Sequence, residues 1–154
     1  MVKAGDPAPD VELIGPDGQP FRLSSLLAKG PLVLYFYPKD DTPVCTAEAC
    51  TFRDNFSEFT GLGASVVGVS DDDAASHQRF AEEHELPFLL LSDPDGKARA
   101  AFGLKALLGL FKARATFVID GKGVVCAVIS DRLNARRHVR EALDALRDQD
   151  LTKL

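Results

Sequence analysis

Residues 31–50 read PLVLYFYPKDDTPVCTAEAC, and the fold turns on how this stretch divides. The seven residues PLVLYFY form an apolar run with β-branched and aromatic members, closed off by Pro38. Such a run suits a strand buried on both faces. Beyond it, Thr42 can serve as N-cap and Pro43 as first helical residue, so a helix is expected from about Thr42 or Cys45 to Thr60. A buried strand feeding directly into a helix predicts a central βα unit of an α/β layer fold.

Working outward, VELI, the turn GPDGQP and FRL predict an N-terminal β-hairpin, after which Ser24 or Ser25 can cap a short helix over LLAKG. On the other side come a strand over residues 64–70, a helix over 74–85, the strand PFLLLS, a turn at SDPDG and a short helical piece KARAAFG. The apolar segment 104–112, LKALLGLFK, has no settled reading; it could pack in the core, collar a pocket, contact a reductant or form a dimer patch. Strands ATFVID and GVVCAVIS then meet at a tight turn over 120–123, which makes an antiparallel hairpin. Asn134 can cap the last helix, whose Val139, Ala142, Leu143 and Leu146 form one apolar stripe. The sum is a mixed central sheet with helices on both faces. Neither a repeat nor a Gly/Ser linker interrupts the chain, so residues 1–154 are expected to form a single domain.

With 45% apolar and 27% charged residues the composition is that of a globular protein. A net charge of -5 leaves no basic footprint for nucleic acid, and the run 132–140 reads as a solvated helix face. No apolar run approaches the ~20 residues that span a bilayer, and no signal-peptide core opens the chain. The cytoplasm is therefore the expected location. Three cysteines speak against a disulfide-stapled scaffold.

Cys45, Ala49, Phe52, Phe56 and Phe59 recur at helical spacing, which puts Cys45 at the head of a buried stripe. Cys50, five residues on, lies roughly 140° around the helix, with the two Cα atoms roughly 8 to 9 Å apart. A disulfide tolerates Cα atoms only about 4.4 to 6.8 Å apart, so the two thiols can bond only if the helix unwinds. First-turn amides and the dipole favour a thiolate at Cys45, whereas Asp40 and Asp41 oppose it. Spacing alone leaves two readings open: a nucleophile with its resolving partner, or two inert helix cysteines.

The segment PKDDTPVC resembles the PxxxTxxC signature of peroxiredoxins, and CTAEAC is similar to the peroxiredoxin Q, or bacterioferritin comigratory protein, subgroup. The likeness runs through GDPAPDVEL, RATFVIDGKGVV and LNARRHVREALDAL. It implies a thioredoxin-like fold with an N-terminal extension and a cofactor-free peroxidase acting on hydrogen peroxide and organic hydroperoxides. Under this resemblance Cys45 is the peroxidatic and Cys50 the resolving cysteine, joined in an intramolecular disulfide that thioredoxin reduces. Thr42 matches the motif threonine, Pro38 the pocket proline, Arg114 the distant arginine and Glu48 the acid that orders it. Val44 stands where glycine is expected, which narrows the approach to Cys45.

Other features read as structural. Cys126 is expected as a small buried hydrophobe, with an alternative resolving role, and His77, His84 and His138 as surface or helix-end residues. The run SDDD at 70–73 reads as a helix N-terminus, and Asp93, Asp95 and Gly96 as a turn, so no metal is expected. The chain is expected as a monomer, weak dimerisation being the alternative. A general thiol-disulfide oxidoreductase, and a zinc or redox-sensing module built on Cys45, Cys50 and a histidine, are the rival functions.

Overall fold

A computed structural model describes residues 1–104 and 113–152, with side chains of the last helix through Gln149. Most of the segment 104–112, whose reading was left open, lies outside the described residues. The elements run β1 (Glu12–Ile14), β2 (Pro20–Arg22), α1 (Leu23–Leu27), β3 (Leu32–Phe36), α2 (Pro43–Asp54), α3 (Phe56–Gly61), β4 (Ser65–Ser70), α4 (Ala74–Glu83), β5 (Leu89–Ser92), α5 (Lys97–Ala101), β6 (Ala115–Ile119), β7 (Val125–Ser130) and α6 (Ala135–Thr152). No helix among them is long and apolar enough to cross a membrane.

The seven described strands form one sheet in the order β2-β1-β5-β4-β3-β6-β7. Strands β3, β4 and β5 pair in parallel, while β6 joins β3 and β7 antiparallel, and the β1–β2 hairpin joins β5 antiparallel. The run 31–37 occupies an interior position, as its composition requires. Alternation sends Val33, Tyr35 and Tyr37 to one face, where α2, α3, α4 and α6 pack. Leu32, Leu34 and Phe36 go to the other, with α1 and α5. Every residue of β3 is buried because both layers are closed.

Glycine fixes one dimension of this packing. Gly68 pairs with Tyr35 in the β3–β4 register, and a Cβ there would stand 2.7 Å from the tyrosine ring. The ring in turn stacks on Phe52 of α2, centroids 4.6 Å apart. The missing side chain on β4 thus sets how closely the thiol-bearing helix approaches the sheet.

Two local expectations are corrected and a third holds. The helix predicted to reach residue 60 breaks at Asn55, whose side-chain Nδ2 donates to the Thr51 carbonyl at 2.8 Å, and α3 starts in a new direction. Phe52 and Phe59 remain buried together, so the stripe survives the break. The first short helix starts at Leu23, which puts Ser24 and Ser25 inside it. The Ser24 amide is satisfied by Asp10, fourteen residues upstream, instead of by a serine hydroxyl. Asn134 does cap α6, accepting from the Arg137 amide, and Val139, Ala142, Leu143 and Leu146 are buried as the stripe predicts.

Candidate active site

Cys45 reaches the site through three steps of chain. Strand β3 ends at Phe36; Tyr37 still donates its amide to the Val69 carbonyl, and Pro38, which has no N–H to donate, is half-buried beyond it. Asp41 then turns with φ of 61°, which aims the start of α2 back across the sheet. Pro43 is the first residue of α2, leaving Cys45 in the first turn and almost fully buried. Thr42 sits at the N-cap position, yet its hydroxyl donates to the Lys39 carbonyl at 2.9 Å and makes no side-chain cap. The capping expectation for Thr42 is corrected accordingly.

Arg114, on the residue before β6, crosses to the thiol. Its Nη2 donates to Cys45 Sγ at 3.1 Å, its Nη1 to Glu48 Oε1 at 2.6 Å and its Nε to the Arg132 carbonyl at 3.1 Å. The guanidinium is buried, and so is the carboxylate. Burial works against the Arg114 charge, but Glu48 and Cys45 outweigh it and hold the guanidinium protonated. A fixed cation thus stands in hydrogen-bond contact with Sγ.

Burial pushes the Glu48 carboxyl up to about 7 against the pull of Arg114. Its Oε2 has no hydrogen-bond partner, and His138 Nδ1 lies 3.6 Å away. Since the folded value lies above the ordinary one, the native state holds a proton that the unfolded chain releases between about pH 4.5 and 7. Stability therefore falls as pH rises through that window. Denaturant midpoints compared at pH 5 and pH 8 should show wild type losing ground to Glu48→Gln, at no more than about 1.4 kcal/mol per pH unit. A difference that does not change with pH removes Glu48 as the responsible group.

Several groups behind the thiol carry no signal in sequence. Arg99 of α5 is buried and donates to the carbonyls of Tyr37 and Ala113. It thus ties together the ends of the chain leading to Pro38 and to Arg114. His138 is fully buried, correcting the surface reading. Its Nε2–H donates to the Asp131 carbonyl, so Nδ1 accepts from the Thr116 hydroxyl, both at 2.7 Å, and burial keeps the ring neutral. His77 is buried too, donating from Nδ1 to Asp40 at 2.8 Å. Asp40 also accepts from Tyr37 and Ser76. Burial alone would raise the Asp40 carboxyl, yet the bonds from His77 and Tyr37 hold it below its ordinary value. The charge expected to oppose Cys45 is therefore taken up by three donors.

Cys45, Cys50 and Cys126 are all free, and α2 is wound. Cys50 is half-buried and opens on a cavity of about 550 Å³ between α2 and the start of α6. Cys126, half-buried on β7, gives its S–H to the Val118 carbonyl, and burial pushes its thiol up. Asp73 caps α4 and Asp93 caps α5, which accounts for both acidic turns. Among the described residues the groups spaced as metal ligands are Asp40, Asp72 and His77, and Asp41, Glu83 and His84, and neither contains a cysteine.

Residues 4–128 match the AhpC/TSA family. A chloroplastic peroxiredoxin Q of Triticum aestivum is 42% identical over 148 residues, 96% of this chain and 68% of the wheat protein. The crystal structure of the peroxidoxin BcpB from Mycobacterium tuberculosis aligns with a TM-score of 0.90 and 44% identity, covering 96% of this chain and 98% of that one. The bacterioferritin comigratory protein of Xanthomonas campestris, a structure concerned with alkyl peroxide reduction, aligns at 0.81 with 31% identity over 90% of this chain and 91% of that one.

Proposed function

This chain belongs to the AhpC/TSA family, and as a thiol-dependent peroxidase with a thioredoxin-like peroxiredoxin fold it acts, we propose, through Cys45 as peroxidatic and Cys50 as resolving cysteine. The observation that carries this division is the Arg114 guanidinium, bonded at once to Cys45 Sγ and to Glu48. Attack by the thiolate on a peroxide O–O bond forms an S–O bond and develops charge on the departing oxygen. Arg114 and the first-turn amides of α2 are donors fixed where that charge appears. Thr42, its proton engaged by Lys39, offers lone pairs to the peroxide O–H.

The product is Cys45 sulfenic acid, which condenses with Cys50 to a disulfide and water. The helical separation of the two thiols requires the first turns of α2 to unwind for that step. An external dithiol then reduces the bridge, and thioredoxin is the reductant we propose. Hydrogen peroxide and organic hydroperoxides are the substrates we propose, the organic class supported by the alkyl peroxide reduction of the Xanthomonas campestris relative. Both thiols and Arg114 lie on one chain, which supports a monomer as the working unit. The low cysteine count supports the cytoplasm as its place.

Peptide mass spectrometry after one equivalent of peroxide tests the assignment. A bridge between Cys45 and Cys50 with Cys126 unmodified is expected, since Cys126 lies on β7 with its S–H already engaged. A Cys45–Cys126 bridge would overturn the choice of Cys50.

A further inference from the structure

We propose that His84 is the catalytic base of the second step, taking the proton of the Cys50 thiol and returning it to the oxygen that leaves Cys45. The inference rests on the reading of Cys50 as the resolving thiol. The Cys50 S–H faces His84 Nδ1 at 3.9 Å, so the acceptor stands at the nucleophile before any rearrangement.

His84 is fixed by one ring contact and two backbone bonds. Its ring packs edge-on against Phe80, centroids 5.0 Å apart, its amide donates to the Phe80 carbonyl, and its own carbonyl accepts from Arg53 Nη1 at 2.8 Å. Arg53 lies one turn beyond Cys50 on the same helix, so this bond fastens the second half of α2 to the end of α4. Among the described residues the first half of α2 makes no side-chain hydrogen bond to α4, the tie there being through Asp40, ahead of the helix, which accepts from Ser76 and His77. When the turns of that half unwind, Cys45 travels and Cys50 stays beside His84. The carboxylates of Asp41 and Glu83 approach within 4.8 Å of a ring nitrogen.

The step balances within the chain. Cys50 gives its proton to Nδ1 and its electron pair to the Cys45 sulfur; the S–O bond breaks, and the departing hydroxide takes the proton from the imidazolium and leaves as water. The Cys45 sulfur is reduced and the Cys50 sulfur oxidised, with no outside electron acceptor. His84 ends as it began.

Rapid-quench mass spectrometry of a single turnover, in the full chain, follows formation of the Cys45–Cys50 bridge. In His84→Gln the bridge should form on the order of 10²-fold more slowly, with Cys45 sulfenic acid accumulating and sulfinic acid appearing under excess peroxide. In His84→Ala, added imidazole should speed bridging, a rescue that a purely structural role would not give. Alkylation of Cys50 in a Cys45→Ser background should slow with His84→Gln, which reads proton transfer without any helix rearrangement. A wild-type bridging rate in His84→Gln, or slow bridging that imidazole fails to restore, overturns the inference while leaving Cys50 as resolving thiol. A Cys45–Cys126 bridge in the wild-type chain overturns the underlying reading and the inference with it.

Discussion

Cys45→Ser should reduce peroxide consumption to the background of the reductant alone. The serine hydroxyl would occupy the same first turn and face the same Arg114 donor, yet a neutral hydroxyl is a weak nucleophile, and no group described at Cys45 is placed as a base to activate it. Cys50→Ser should behave differently. It leaves the donors around Cys45 in place, so one equivalent of peroxide is consumed and turnover then stalls at the sulfenic acid. Peroxide loss measured with thioredoxin or dithiothreitol separates the two variants. Full turnover in Cys45→Ser would sink the peroxidatic assignment.

Arg114→Ala carries the second large effect, and it acts on rate and on stability. The guanidinium is the one side-chain cation hydrogen-bonded to Cys45 Sγ among the described residues. Removal of a donor aimed at developing charge costs roughly 10²- to 10³-fold in rate. It also leaves Glu48 buried without its partner, and breaking a buried pair destabilises by about 3–5 kcal/mol. Protonation softens that loss, since the carboxyl already sits at about 7. Arg114→Lys should recover only part of either quantity, because a single ammonium cannot reproduce the fork that reaches Sγ, Oε1 and the Arg132 carbonyl together.

The double variant Arg114→Met, Glu48→Gln separates the two contributions. With no buried carboxylate left uncompensated, its denaturant midpoint should return toward wild type. Its second-order rate with peroxide should remain as low as that of Arg114→Ala. Recovery of the rate along with stability would mean that Arg114 acts only by holding the fold.

The cysteine spacing and the burial of β3 were legible because they follow from periodicity. An apolar run of seven residues with no polar position must be covered on both faces, and Val33, Tyr35 and Tyr37 do divide from Leu32, Leu34 and Phe36 between the two layers. Two thiols five residues apart on a helix face different ways whatever surrounds them. The break at Asn55 was not legible, because the flanking phenylalanines keep helical spacing while a single amide side chain competes for the Thr51 carbonyl. Nor was the capping of α1 by Asp10, since the capping oxygen comes from a distant part of the chain.

The site divides along the same line. Thr42, Cys45, Glu48 and Cys50 are local in sequence, and their arrangement follows from one helix. Arg114 could be placed only through its likeness to a family motif, Arg99 could not be placed at all, and His77, His84 and His138 could be read only as surface or helix-end residues, a reading that holds for His84 at the C-cap of α4. Their roles depend on contacts between residues more than thirty positions apart, such as His77 with Asp40 and His84 with Cys50, or on burial, as with His138. The amino-acid sequence by itself determined the strand, the helix and the angular separation of the thiols, because backbone periodicity fixes these within a few residues. Tertiary packing decided how Arg114 meets Cys45, that burial pushes the Glu48 carboxyl up and which imidazole faces Cys50. Those are properties of the space between elements, and only the sheet order brings β6, α2 and α4 to the same place.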